Sequence, residues 1–179
     1  MTALARATRD LWPGAAAPGQ VQPILAIDPA SKLGWAIRRR DGTVESGRLN
    51  LPRDTAARLR AFQAFLGSAW SPGTAIAYEE PTLVRFRGRA VNFDGFRVAC
   101  HLEAVLVLLA GRDKVELRHA TPAAVKKAAT GKGNAGKAEV LTAMRRRWSY
   151  PDLADDNEAD ALAVLTWADV VLAAAGAAP

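Results

Sequence analysis

Residues 24–29 run four apolar side chains, Ile24, Leu25, Ala26 and Ile27, straight into the carboxylate of Asp28 and then Pro29. A run with no polar alternation needs cover on both faces, so it is a strand inside a layered sheet, and Asp28 stands where that strand emerges at the rim. The same design recurs at 74–79, where Ala75, Ile76, Ala77 and Tyr78 lead into Glu79, followed by Glu80 and Pro81. A third group, Asp155, Asp156, Asn157, Glu158 and Asp160, opens an almost wholly apolar helix. A layered α/β domain is the architecture that brings two strand ends and a helix start to one edge.

The remaining elements fit that frame. Strands are expected at 23–28, 33–38 and 43–49, the last two joined across Asp41-Gly42, a strong hairpin signal, so that the first three form an antiparallel meander. A helix follows over 53–70, with Leu59, Phe62, Phe65 and Leu66 at helical spacing, then a buried fourth strand over 74–79. Beyond a basic loop at 82–92 come a helix over 93–110, a fifth strand over 114–119, and a short helix capped by Thr121 with Pro122 at its first position. Gly131 to Gly136 interrupts the pattern, and helices resume over 137–148 and 157–175. The fold class is α/β with a mixed five-stranded sheet flanked by helices. Residues 1–22, with Pro13, Gly14, Pro18 and Gly19 and no sustained periodicity, read as a flexible N-terminal arm, and 23–179 as one domain.

Composition narrows the function. A chain of 179 residues with 50% hydrophobic content buries a core without crosslinks. One cysteine excludes an internal disulfide, and two histidines with one cysteine cannot build a Cys/His zinc cage. With no apolar run of the roughly 18 residues that a span requires and no apolar segment after Arg6 and Arg9, a cytoplasmic protein with no membrane partner is expected. The net charge of +6 is segregated: residues 118–147 hold eight Lys/Arg against Glu139 alone, whereas 148–179 hold six acids and no base. A basic surface beside an acidic pocket suits a protein that grips a phosphate backbone and cuts it with cations held by carboxylates. Three acids from separate elements form an oxygen-rich set for a hard ion, Mg²⁺ or Mn²⁺.

The order of elements, with acids after strands one and four and on the last helix, resembles the ribonuclease H-like fold, and more narrowly the RuvC-type Holliday junction resolvases in a short, phage-like form. Residues 24–31 resemble that family's first-strand motif of apolar residues, Asp, Pro, a small residue and Ser; 75–79 resemble its fourth-strand motif ending in Glu; 158–163 resemble its last motif, whose Asp ligates metal. Val125-Lys126-Lys127 through Gly136-Lys137 is similar to its Val-Lys pair, Gly-rich turn and second lysine. The resemblance implies a crossover junction endodeoxyribonuclease of bacterial, phage or prophage origin that resolves four-way DNA junctions by paired symmetric nicks leaving 5′-phosphates, acting as a homodimer. It makes Asp28, Glu79 and Asp160 catalytic metal ligands holding two ions per site, with Lys126 and Lys137 offsetting charge on the scissile phosphate. Two such ions, about 3.5–4 Å apart, activate a water and hold the leaving 3′-oxygen, with Asp28 bridging them. The family often has an acid three residues before its last Asp; this chain has Asn157, which can offer a metal only a neutral carbonyl oxygen, and whether Asp156 or Glu158 compensates stays open.

Several residues stand beside this set. Glu80 competes with Glu79, but strand alternation sends the two to opposite faces, and Glu79 ends the apolar stretch. Arg85, Phe86, Arg87 and Arg89 interleave cations with an aromatic just beyond Glu79, suited to phosphates and an unpaired base at a junction centre. Phe93 reads as a core anchor of the helix it starts. Lys127 and Lys132 read as DNA-backbone contacts, and Arg145, Arg146 and Arg147 as a solvated basic face that extends the DNA track. The glycine-rich turn lacks the pattern of a phosphate-cradling loop between strand and helix, so no nucleotide cofactor is expected. His101 and His119 read as structural, Cys100 as a buried small residue. The stripe Leu102, Val105, Leu106 and Leu109 is a dimer-interface candidate that could equally be core. Two other readings stay open: a broader nuclease on flaps, forks or bubbles, and a catalytically weak junction-binding protein, the latter motivated by Asn157.

Overall fold

The computed structural model describes residues 21–83 and 92–176, with side chains to 172. Five strands, β1 (Ile24–Asp28), β2 (Lys32–Arg38), β3 (Val44–Asn50), β4 (Ala75–Glu79) and β5 (Leu117–Ala120), form one sheet in the order β3-β2-β1-β4-β5. β1, β2 and β3 pair antiparallel as the hairpin signal predicts, while β1–β4 and β4–β5 pair parallel. The β2–β3 turn closes through Gly42, whose φ of 85° only glycine adopts freely. Among the described residues five helices accompany the sheet: α1 (Thr55–Ala69), α2 (Phe93–Asp113), α3 (Pro122–Thr130), α4 (Lys137–Trp148) and α5 (Asp156–Gly176). No described helix is long and apolar enough to cross a membrane.

The alternation of the central strands sorts their side chains into two cores. Leu25, Ile27, Leu33, Ile37, Ile76 and Tyr78 pack with Phe62 and Leu66 of α1 and Leu102 and Leu106 of α2. Ile24, Ala26, Ala36, Ala77 and Ala120 face the other way, against α5 and, around it, Val125 of α3 and Val140 and Met144 of α4. The second floor is made mostly of small residues, so α5 lies close to it. Leu162 and Leu165 are fully buried there, each worth about 1.5–3 kcal/mol. Helix ends follow the expected chemistry: Thr121 caps α3 with Pro122 behind it and Gly131 ends it at φ 82°, and Asp54 caps α1 by accepting from the Ala57 N–H.

Several expectations need correcting. α2 runs three residues beyond 110, through Gly111, until Lys114 takes the left-handed conformation and ends it, which leaves β5 starting only at Leu117. Phe93 is 64% exposed instead of anchoring the core. The buried stripe of α2 is Val98, Ala99, Leu102 and Leu106, and Phe93 lies one turn before exposed Arg97, off that stripe. The proposed interface stripe is mostly core: Leu102 and Leu106 are fully buried and Val105 and Leu109 partly, while Val107 and Leu108 beside them face out. Cys100 is only partly buried. Of the arm, all but residues 21 and 22 lies outside the described residues, as do Arg85, Phe86, Arg87 and Arg89.

Candidate active site

β1 and β4 run parallel and in register, Ile27 beside Tyr78, so Asp28 and Glu79 follow one residue later on neighbouring strands. Alternation puts Asp28 on the face of Ala26 and Glu79 on that of Ala77, the face covered by α5. α5 supplies Asp160 between the buried Ala159 and Ala161. Asp160 is close enough to raise Asp28, and both are close enough to raise Glu79. Burial pushes the Asp28 carboxyl up to about 7, the charge of Asp160 adds to the rise, and Lys137 opposes it. Burial likewise takes Glu79 up to about 8, reinforced by Asp28 and Asp160 and opposed by Lys126. Asp160 is raised by burial against the pull of Lys137 and Lys126. Each rise reports a carboxylate that has lost water without gaining enough positive charge in return.

The lysines come from the two helices beside α5. Lys126 sits on α3, half-buried, and Lys137 opens α4, where its Nζ lies 3.4 Å from Asp156 Oδ2. Asp156 precedes Asp160 by one helical turn and adds to its rise. Asp156 is thus part of the acid cluster, which the run of acids at 155–160 could not reveal, because the packing of α4 on α5 selects it. Asn157 donates from its side-chain amide to Asp155 Oδ1 at 3.1 Å. Glu158 is turned toward β3, where Ser46 Oγ donates to it at 2.6 Å.

Glu80 points to the opposite face and meets His119 Nδ1 at 3.1 Å, beside the Tyr78 ring. Tyr78 in turn donates its hydroxyl to Glu103 at 2.9 Å. Lys127 is exposed in the last turn of α3, and Lys132 lies 3.3 Å from Glu139 Oε1. His101 Nδ1 is buried without a hydrogen-bond partner among the described residues.

The donors at this edge suit a divalent ion. All are carboxylate oxygens, half-buried and incompletely balanced by two lysines, which is the chemistry of a hard-cation site. No three His, Cys, Asp or Glu side chains among the described residues stand within joint reach of one ion. The residues fit the ion in the chemistry of their donor set.

No family model matches the chain. It is 29% identical over 149 residues, 79% of its length and 92% of the relative's, to the crossover junction endodeoxyribonuclease RuvC of Rickettsia prowazekii, and 28% identical over 151 residues to that of Akkermansia muciniphila. The fold matches T. thermophilus RuvC in complex with Holliday junction substrate, with a TM-score of 0.66 at 21% identity over 87% of this chain and 98% of that one. It also matches the yeast mitochondrial Holliday junction resolvase, with a TM-score of 0.51 at 15% identity over 80% of this chain. The resemblance to RuvC-type resolvases and the ribonuclease H-like fold read from the sequence are both borne out.

Proposed function

We propose that this chain is a metal-dependent DNA endonuclease that resolves four-way junctions by paired, symmetric nicks. The observation that carries the reading is the meeting of Asp28, Glu79 and Asp160 at one sheet edge, with Lys126 and Lys137 beside them. Relatives named crossover junction endodeoxyribonucleases, aligned with 79% of the chain, support it. In this reading Asp28, Glu79 and Asp160 hold Mg²⁺ or Mn²⁺, two ions per site, which supply an activated water and charge for the leaving oxygen.

The protein's own groups do the rest. Lys137 and Lys126 place ammonium charge where the scissile phosphate gains negative charge, and the buried floor keeps bulk water from screening it. Arg85, Phe86, Arg87 and Arg89, next in the chain after Glu79, contact the junction, and Lys127 and Lys132 the flanking backbone. Paired nicks require two sites, hence a homodimer, for which outward Val107 and Leu108 on α2 offer apolar surface. The protein works on cytoplasmic DNA.

A second reading, junction binding with little cleavage, is favoured by Asn157, which leaves one fewer negative oxygen at the first turn of α5. The deciding experiment is cleavage of a labelled mobile four-way junction with Mg²⁺, Mn²⁺ or EDTA, beside linear duplex and a 5′-flap. Symmetric nicks confined to the junction support resolution, and equal cutting of flap and junction replaces it with a broader nuclease. Tight binding without cutting, relieved by Asn157→Asp, establishes the second reading. Neutralising Arg85, Arg87 and Arg89 should flatten the salt dependence of binding by about 0.9 in log–log slope for each phosphate that is no longer neutralised.

A further inference from the structure

Cross-strand register builds a row of residues over half the sheet. Gly34 on β2 is opposite Asp28 on β1, and Arg48 on β3 is opposite Gly34, so all three lie on the face that α5 covers. Above this row sits the first turn of α5. Arg48 forms an ion pair with Asp155 Oδ2, while the other oxygen, Asp155 Oδ1, caps the helix by accepting from Asn157 N at 3.0 Å and Glu158 N at 3.2 Å. One carboxylate therefore ties the helix start to the edge of the sheet.

Gly34 lets that turn come down. A methyl group added there would fall on the carbonyl oxygen of Asn157, 2.6 Å from its carbon and 3.3 Å from the Ala161 Cβ. The obstacle is helix backbone, which cannot swing aside as a long side chain does. Gly34 has no positive φ, so glycine is needed here for room and not for backbone conformation. The colliding atoms flank Asp160 on both sides, at 157 and 161. At its far end α5 is held by the Arg38–Asp169 ion pair, so anything that lifts the first turn tilts the helix and carries Asp160 away from Asp28.

We infer that Gly34 and Arg48 are positioning residues of the carboxylate site, seating the first turn of α5 so that Asp160 faces Asp28 across the sheet edge. The inference rests on the nuclease reading for its activity measurements, but metal affinity of the DNA-free protein tests it separately. Residues that orient ligands without touching the ion are worth about 10–100-fold in affinity or rate, and a misplacement of about 1 Å costs about 100-fold.

The test measures single-turnover cleavage at saturating protein, junction Kd, and Mn²⁺ affinity by titration of the DNA-free chain. Gly34→Ala should lower the saturated rate about 100-fold and weaken Mn²⁺ binding about tenfold, with junction Kd within about twofold. Arg48→Met should show the same pattern at about tenfold. Arg48→Lys should recover most of the loss, because the pair with Asp155 uses a single nitrogen. If Gly34→Ala does not fold, Arg48→Met, at a partly exposed position, carries the test. A raised Kd with an unchanged saturated rate in Arg48→Met overturns the inference and makes Arg48 a DNA contact. A lower melting temperature with unchanged Mn²⁺ affinity overturns it in favour of a purely structural role. A wild-type chain that binds Mn²⁺ but cuts no DNA sinks the nuclease reading alone, since the variants' Mn²⁺ affinities still decide this one; a chain that does neither overturns both.

Discussion

The two faces of the sheet end in carboxylates of opposite character. On the face of α1 and α2 the floor is large and branched, and its acids are satisfied: Glu80 meets His119, and Glu103 accepts from Tyr78. On the face of α5 the floor is mostly alanine and glycine, and its acids, Asp28, Glu79 and Asp160, are half-buried near one another with two lysines to share. Bulk and satisfied polar groups serve stability; a thin floor leaves unbalanced charge next to a helix. The difference between Glu79 and Glu80, neighbours in the chain, is therefore set by which face each one reaches.

The comparison breaks first at Asp28. Asp28→Asn should lower junction cleavage by at least about 1,000-fold, some 4 kcal/mol of transition-state stabilisation, while junction Kd stays within about threefold; full activity ends the assignment of this face to catalysis. On the other face, Leu102→Ala should cost about 2–4 kcal/mol in urea unfolding and leave the saturated cleavage rate of the folded protein unchanged. A fall in that rate would mean that the faces are not independent.

Ionisation sharpens the contrast more gently. Burial first, and neighbouring acids second, push Asp28 up to about 7 and Glu79 up to about 8, against 3.8 and 4.5 for ordinary groups. Between about pH 4 and 8 the folded state thus binds more protons than the unfolded one, so stability falls as pH rises through this window. Metal-free protein should lose stability between pH 5 and pH 8, seen as a lower melting temperature. Saturating Mg²⁺ or the Asp28→Asn substitution should flatten that slope. A metal-free chain equally stable at both pH values would show that the acids are not held apart from solvent. The smallest effect belongs to Glu80→Gln, for which cleavage should change less than about twofold; a loss matching that of Asp28→Asn would exchange the roles of the two glutamates.

Much of this contrast is legible in the sequence. Uninterrupted apolar runs announce buried strands, Asp41-Gly42 announces the hairpin, and period two is enough to separate Glu79 from Glu80, because each signal is local. What depends on packing is not legible. The sequence leaves Asp156 and Glu158 as equal candidates until Lys137 reaches Asp156 from α4 and Ser46 takes Glu158, and Gly34 reads as an ordinary strand glycine until α5 lies on it. Phe93 misleads because an aromatic at a helix start suggests an anchor, whereas the buried stripe of α2 only begins a turn later.

The alanine floor beneath α5 has a consequence for how this protein tolerates change. Ala26, Ala36, Ala77 and Ala120 carry no reactive atom, yet any larger side chain at these positions works as a wedge under the helix that bears Asp160. A scan of all single substitutions would show a track of forbidden enlargement leading along the sheet to the acids. Judged from activity alone, that track would pass for part of the reaction centre, although its members contribute only their smallness.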